Sequence, residues 1–243
     1  MRTPIAILLC ASLLPASREF SGATDNLSDG TPAAGSEATG AITACGWLYI
    51  NSAPGTSGRM LFITAAVNSL VQLILLSSNT IQFVRNTSGT SRSAVSSQTL
   101  STSTWYYICG TYDGAGSASQ IYISSGSGIN TTMAESAYTS QSTGSGTDNA
   151  GPATLIVLGN NSLHDRVLPG RLAESVFYGS VLTTAQMNQL ARGYPVAGVL
   201  NYAPLYGVDS PELDNSGQGN SFIVTGATAA AHAPIAPSFG WWN

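Results

Sequence analysis

From residue 40 onward the apolar residues recur at every second position in short runs, and each run is bounded by glycine, serine, asparagine or aspartate. This is the period of a β-strand, whose successive side chains point to opposite faces. Nine segments read as strands by this rule: 41–50, 60–67, 70–76, 80–85, 104–113, 119–124, 153–159, 172–179 and 221–226. Many short strands with no helices alternating between them predict an antiparallel sandwich or barrel. One segment departs from the pattern. "VLTTAQMNQLARGYP" places Thr183 and Gln186 at capping-box spacing, good helix formers through Arg192, Gly193 as a stop and Pro195 just beyond, which predicts one short helix. The serine-rich stretches 93–104 and 139–153 read as loops, the second long enough to carry a contact. With no linker and no internal repeat, the chain reads as one domain over 18–200. It is preceded by an apolar segment, 1–17, and followed by an extension, 201–243, that packs on the sandwich or on a partner.

Charge changes the picture more than length does. Only 8% of the 243 residues are charged, lysine is absent, and the eight arginines are scattered along a chain of net charge −4. Ordinary soluble domains carry roughly 25% charged residues, so solubility here falls to hydroxyls and amides. A neutral, weakly repelling surface suits packing against proteins or glycans and predicts self-association. Without a basic cluster there is no footprint for nucleic acid. No apolar stretch reaches the ~20 residues of a membrane-spanning helix, so no membrane partner is expected.

The opening "MRTPIAILLCASLLPAS" has the basic residue, apolar core and small residues of a secretory leader, although Pro4 interrupts the charged-to-apolar junction. The expectation is that 1–17 is a retained arm; the alternative is a cleaved signal peptide. The cysteines follow that choice. With Cys10 kept, Cys10, Cys45 and Cys109 are expected as three small buried hydrophobes in a reducing compartment; with the leader removed, Cys45 and Cys109 are free to pair. Asn-x-Ser/Thr at Asn26, Asn86, Asn130 and Asn160 is what so many hydroxyl residues produce by chance.

Four segments resemble laminin-G-like, concanavalin-A-like jelly rolls, in that family's order. "REFSGATDNLS" (18–28) is similar to the opening strand and turn, and "AITACGWLYI" to the next strand, with Trp47 as its core tryptophan. "TWYYICGTYDGAGSASQIYISSG" (104–126) is similar to the Gly-Thr-Tyr-Asp-Gly strand pair, and "GRLAESVFYGSVLTTAQMNQLARG" (170–193) to the closing strand and helix. The resemblance implies an all-β fold, an antiparallel two-sheet jelly-roll sandwich with one short C-terminal helix and extended termini. The segment 202–237 further resembles the C-terminal extension of laminin-G-like proteins of tailed bacteriophages.

Enzymes of this fold hydrolyse glycans with paired carboxylates, typically Glu-x-Asp-x-x-Glu, and that spacing is absent; Glu174 stands alone on its strand and Asp113 sits at a turn. His164, beside Asp165 in a loop, and His232, in the alanine-rich tail, come with no Gly-x-Ser-x-Gly elbow and read as surface residues. The resemblance implies a calcium site at Asp25 and Glu174, but Ala173 stands where relatives often have a second acid, and calcium needs six to eight oxygens. No catalytic residue, cofactor or metal is therefore expected. Tyr106, Tyr107, Tyr112, Tyr122 and Trp105 are numerous enough for a sugar platform, though alternation sends about half to the core and Trp105 is expected there. The terminal Trp241-Trp242 pair reads as a docking anchor. The function expected from all this is a non-enzymatic phage virion protein, a capsid decoration or cement protein or a tail appendage. It would be assembled in the host cytoplasm, bind the major capsid protein or tail components, and form a homo-oligomer. The alternative is a secreted bacterial carbohydrate-binding module with a host-surface glycan as partner.

Overall fold

The computed structural model describes residues 16–32, 40–65, 70–86, 90–114, 116–126, 130–146, 153–207 and 209–235. In chain order the strands begin with β1 (Ala16–Phe20), β2 (Asn26–Asp29), β3 (Ala41–Ile50), β4 (Gly58–Ala65), β5 (Leu70–Leu75) and β6 (Ile81–Asn86). There follow β7 (Arg92–Ser96), β8 (Trp105–Asp113), β9 (Gln120–Ser124), β10 (Met133–Glu135), β11 (Tyr138–Ser142), β12 (Ala153–Leu158) and β13 (Gly170–Tyr178). After the helix α1 (Thr184–Ala191) come β14 (Val199–Ala203), β15 (Glu212–Leu213), β16 (Ser221–Thr225) and β17 (Thr228–Ala231). The first sheet runs β10-β9-β8-β3-β13-β1-β17 with β14 also beside β13, and the second runs β11-β7-β6-β5-β4-β12-β2-β16-β15. The fold is the two-sheet jelly-roll sandwich the sequence implied.

The nine strands read from the two-residue period are present as β3, β4, β5, β6, β8, β9, β12, β13 and β16, each within two residues of the expected bounds. The side chains of Ile42, Ala44, Leu48 and Ile50 on β3 and of Ile108 and Tyr112 on β8 enter the space between the sheets. There they meet Leu27, Ile63, Phe83 and Phe222 from the second sheet. Gly110 is glycine because the Phe83 ring lies over it: an added Cβ would sit 2.1 Å from a ring carbon. Gly114 closes the Gly-Thr-Tyr-Asp-Gly turn at φ 77°, a left-handed backbone where a Cβ would meet the Ala41 amide at 2.8 Å.

Two expected loops are partly strand. β7 falls almost wholly in 93–104 and β11 runs into 139–153, and neither shows apolar alternation; they are held by the ladder and by hydroxyls that reach neighbouring strands, β6 and, across the sandwich, β9. Ser96 Oγ accepts from the Ile81 amide at 2.9 Å, and the Tyr138 hydroxyl accepts from the Ile121 amide at 3.1 Å while donating to Glu135 at 2.8 Å. The C-terminal residues enter both sheets, β17 pairing with β1 and β16 with β2. Arg18 and Glu212, both buried, tie the two ends of the described chain together at 2.9 Å. Ala16 and Ser17 belong to β1, so the strand starts inside the segment 1–17, whose remaining residues lie outside those described.

Candidate functional site

The outer face of the first sheet is built on as well. Its outward positions on β3, β8 and β13 carry Cys45, Trp47, Trp105, Tyr107, Cys109, Val176 and Tyr178, and these pack under Met187, Leu190 and Ala191 of α1 and under Val196, Val199, Tyr202 and Ala233. Helix α1 forms where expected, with the reciprocal Thr183–Gln186 capping box. Asn188 Oδ1 accepts from the Met133 amide at 2.6 Å and so clamps the helix over the edge of the sheet. Beneath it Cys45 and Cys109, opposite one another on β3 and β8, form a disulfide. This corrects the expectation of three free cysteines: cross-strand register brings the two sulfurs together, and strand order is not visible in the spacing of cysteines.

The cover ends along one row, of which it still buries the inner member, Trp105. Trp105, Tyr49, Arg171 and Glu19 face each other on the neighbouring strands β8, β3, β13 and β1, and alternation places all four on the outer face. The Tyr49 ring centroid is 5.3 Å from that of Trp105, and the Arg171 guanidinium stands 4.7 Å from the Tyr49 centroid. Arg171 Nε lies 3.4 Å from Glu19 Oε2, and Asn51 Nδ2 donates to Glu19 Oε1 at 2.8 Å. The side chains of Arg171 and Glu19 are 24% and 27% exposed, enough to touch a ligand while held by each other. Aromatic surface beside a planar five-donor cation, a carboxylate and an amide offers both an apolar contact and alternating donors and acceptors.

The residues singled out from sequence fall elsewhere. Asp25 and Glu174 are not brought together. Asp25 sits in the turn after β1, its carboxylate accepting from the Ser21 and Gly22 amides at 2.9 and 2.7 Å, whereas Glu174 lies beyond Leu172, toward the opposite end of β1. Among the described residues no group of three His, Cys, Asp or Glu side chains could hold a metal ion. Glu174 stands in a bulge of β13 at φ 50° and is buried; the Tyr202 hydroxyl donates to one carboxylate oxygen, and His232 Nε2 lies 3.3 Å from the other. His232 is thus not the surface residue expected but part of the cover. Burial, then the neighbouring Glu174, pushes the Tyr202 hydroxyl far above its ordinary value, and burial does the same to Tyr107. A cavity of about 10 Å³ beside Tyr107, Glu174, Tyr194 and Tyr202 has room for a single water.

His164 is exposed in the turn after β12, and Asp113 is exposed at the end of β8. Trp47 and Trp105 are buried, but in the layer outside the first sheet rather than between the sheets. Tyr107 is buried in that layer and Tyr112 between the sheets; Tyr106 is half-buried against the inner core and Tyr122 against the outer layer. Trp241 and Trp242 lie outside the described residues. Glu19, Tyr49, Asn51 and Arg171 went unnoticed in the sequence. The available signal was parity: in a chain with so few charges, a charged residue at an outward position of a strand is conspicuous.

Residues 22–188 match the family described as the concanavalin A-like lectin/glucanases superfamily, in a laminin-G group. The chain belongs to this superfamily. No curated protein matches it. Among solved structures, a putative carbohydrate binding protein from Bacteroides ovatus is similar, with TM-score 0.63 and 15% identity over 92% of this chain and 62% of that one. This superfamily member therefore spans about three-fifths of that protein's length. The heptameric SAP-like pentraxin of Limulus polyphemus has TM-score 0.55 and 11% identity over 91% of this chain and 97% of its own. Domains LG4-5 of the mouse laminin alpha1 chain have TM-score 0.51 and 13% identity over 70% and 44%. At these identities the likeness is one of fold. The phage expectation draws no support from these relatives.

Proposed function

We propose that this protein is a non-catalytic carbohydrate-binding module of an exported protein, and that glycan docks on Tyr49, Arg171 and Glu19, with Asn51 at their edge and the buried Trp105 supporting the Tyr49 ring. The observation that carries the reading is the strip itself, Tyr49, Arg171 and Glu19 left partly exposed at the margin of the cover. The carbohydrate-binding description of the Bacteroides protein of the same fold points the same way. Binding without hydrolysis follows from the row's single carboxylate: Glu19 is engaged by Arg171 and Asn51, and glycoside hydrolysis calls on two carboxyl groups flanking one bond. The Cys45–Cys109 disulfide supports export, since such bonds persist in oxidising compartments. A leader cut ahead of Ala16 would leave β1 whole. The described part of the segment that suggested a virion protein supplies β15, β16 and β17 to the fold, so its sequence has an intramolecular role.

The test is a glycan array followed by calorimetric titration of the purified protein and of Arg171→Gln. The expected result is saturable binding of a defined oligosaccharide class, weakened about tenfold or more in the variant, with no sugar released on long incubation. Absence of glycan binding together with co-sedimentation on phage particles would overturn the proposal.

A further inference from the structure

We infer that Glu19 sets the charge preference of this row, so that its ligands are uncharged glycans rather than uronic or other acidic ones; the inference rests on the glycan-binding reading above. Arg171 brings the row's only cation, and a lone guanidinium on a half-open strip would favour carboxylate-bearing sugars through paired, charge-assisted hydrogen bonds. It is not alone. Glu19 Oε2 is 3.4 Å from Arg171 Nε, and the second carboxylate oxygen is fixed by the Asn51 amide at 2.8 Å, so Glu19 is held from both sides. The guanidinium is also held over the Tyr49 ring. Arg171 therefore presents hydrogen-bond donors with its charge already compensated. An acidic ligand approaching those donors meets the Glu19 carboxylate within a few ångströms, well inside the ~8 Å screening length at physiological ionic strength.

Neutral hydroxyls meet no such opposition. A sugar hydroxyl can accept from the guanidinium and donate to the carboxylate at once, because each hydroxyl is both donor and acceptor. The pair that repels an acid thus suits a polyol. Strand register supplies this arrangement directly, since Glu19 is the partner of Arg171 in the ladder and Arg171 the partner of Tyr49.

The experiment uses a panel of uncharged oligosaccharides, each also prepared with its primary hydroxyls oxidised to carboxylates, titrated into the wild-type protein and Glu19→Gln at low and at high salt. Gln keeps the shape and an acceptor for Asn51 while removing the charge. Expected is a neutral-over-acidic affinity ratio above one in the wild type that falls about threefold in Glu19→Gln at low salt and falls less at high salt, the size of effect one partly exposed charge gives. Tighter binding of the oxidised forms by the wild type, or a ratio unmoved by Glu19→Gln, would overturn the inference while leaving glycan binding intact. Failure of the wild type to bind any member of the panel would overturn the underlying reading instead. Unchanged thermal unfolding of Glu19→Gln confirms that the fold is retained; if it unfolds, Glu19→Asp, which draws the charge back from Arg171, is read in its place and must shift the ratio in the same direction.

Discussion

The outer face of the first sheet has two ends built from the same kinds of side chain and put to different uses. At the covered end, aromatic rings, a carboxylate and an imidazole are turned inward on one another. Glu174 is held by Tyr202 and faces His232, the Tyr178 hydroxyl donates to the Val196 carbonyl at 2.9 Å, and the whole layer is crossed by the Cys45–Cys109 bond. At the open end, Tyr49, Arg171 and Glu19 make comparable contacts beside the buried Trp105, but Arg171 and Glu19 keep about a quarter of their side-chain surface in solvent. Chemistry alone does not separate a structural cluster from a recognition surface; the path of the chain from α1 to β17 does. A buried polar group must find its partners within the protein, whereas a half-exposed one can share them with a ligand.

The comparison can be broken hardest at the covered end. Replacing both Cys45 and Cys109 by alanine removes a cross-link between positions 64 residues apart and is expected to lower stability by about 4 kcal/mol, read as a large drop in melting temperature, with glycan affinity of the folded fraction unchanged. Met187→Ala opens the cover itself. Met187 is fully buried against the aromatic layer, and its truncation is expected to cost about 3 kcal/mol and to shift tryptophan fluorescence to the red as water reaches that layer.

Alkaline titration separates the two ends more gently. Burial raises the hydroxyls of Tyr107, Tyr178 and Tyr202 above the ordinary value of 10.0, so the folded protein keeps protons that the unfolded chain releases near pH 10. Their contribution is fully present below that pH and is lost as the pH climbs through it toward the raised folded values. Chemical denaturation should therefore show stability flat from neutral pH to about 10 and falling above, with a shallower fall in Tyr202→Phe. The smallest effect on stability is at the open end: Arg171→Gln breaks one partly exposed pair and is expected to cost less than about 1 kcal/mol, while its effect on glycan affinity is the larger one.

Much of this architecture was legible from the two-residue period, because the nine strands read by it each keep at least one apolar face. β3 was read to the residue, and the helix was read from Thr183, Gln186 and Gly193. Short edge strands escaped for the converse reason: β11 buries almost nothing and β17 is Thr-Ala-Ala-Ala, so neither carries a pattern. The candidate row was hidden more deeply. Glu19 and Arg171 meet only because the first strand of the chain is laid beside β13, and no local spacing records that pairing. Glu174 drew attention as a lone acid, yet its surroundings, set by Tyr202 and His232 from the far end of the chain, turn it into part of the cover.

The central claim is that ligand meets the open end and not the covered one. Heteronuclear NMR of the side-chain signals of Arg171 Nε–H, the Asn51 amide and the Trp105 indole during titration with the best oligosaccharide from the array tests this most directly. The account predicts that these three signals move together and saturate at one dissociation constant while the indole of Trp47 stays still. Movement confined to Trp47 and the residues of α1, with the open row silent, would contradict it.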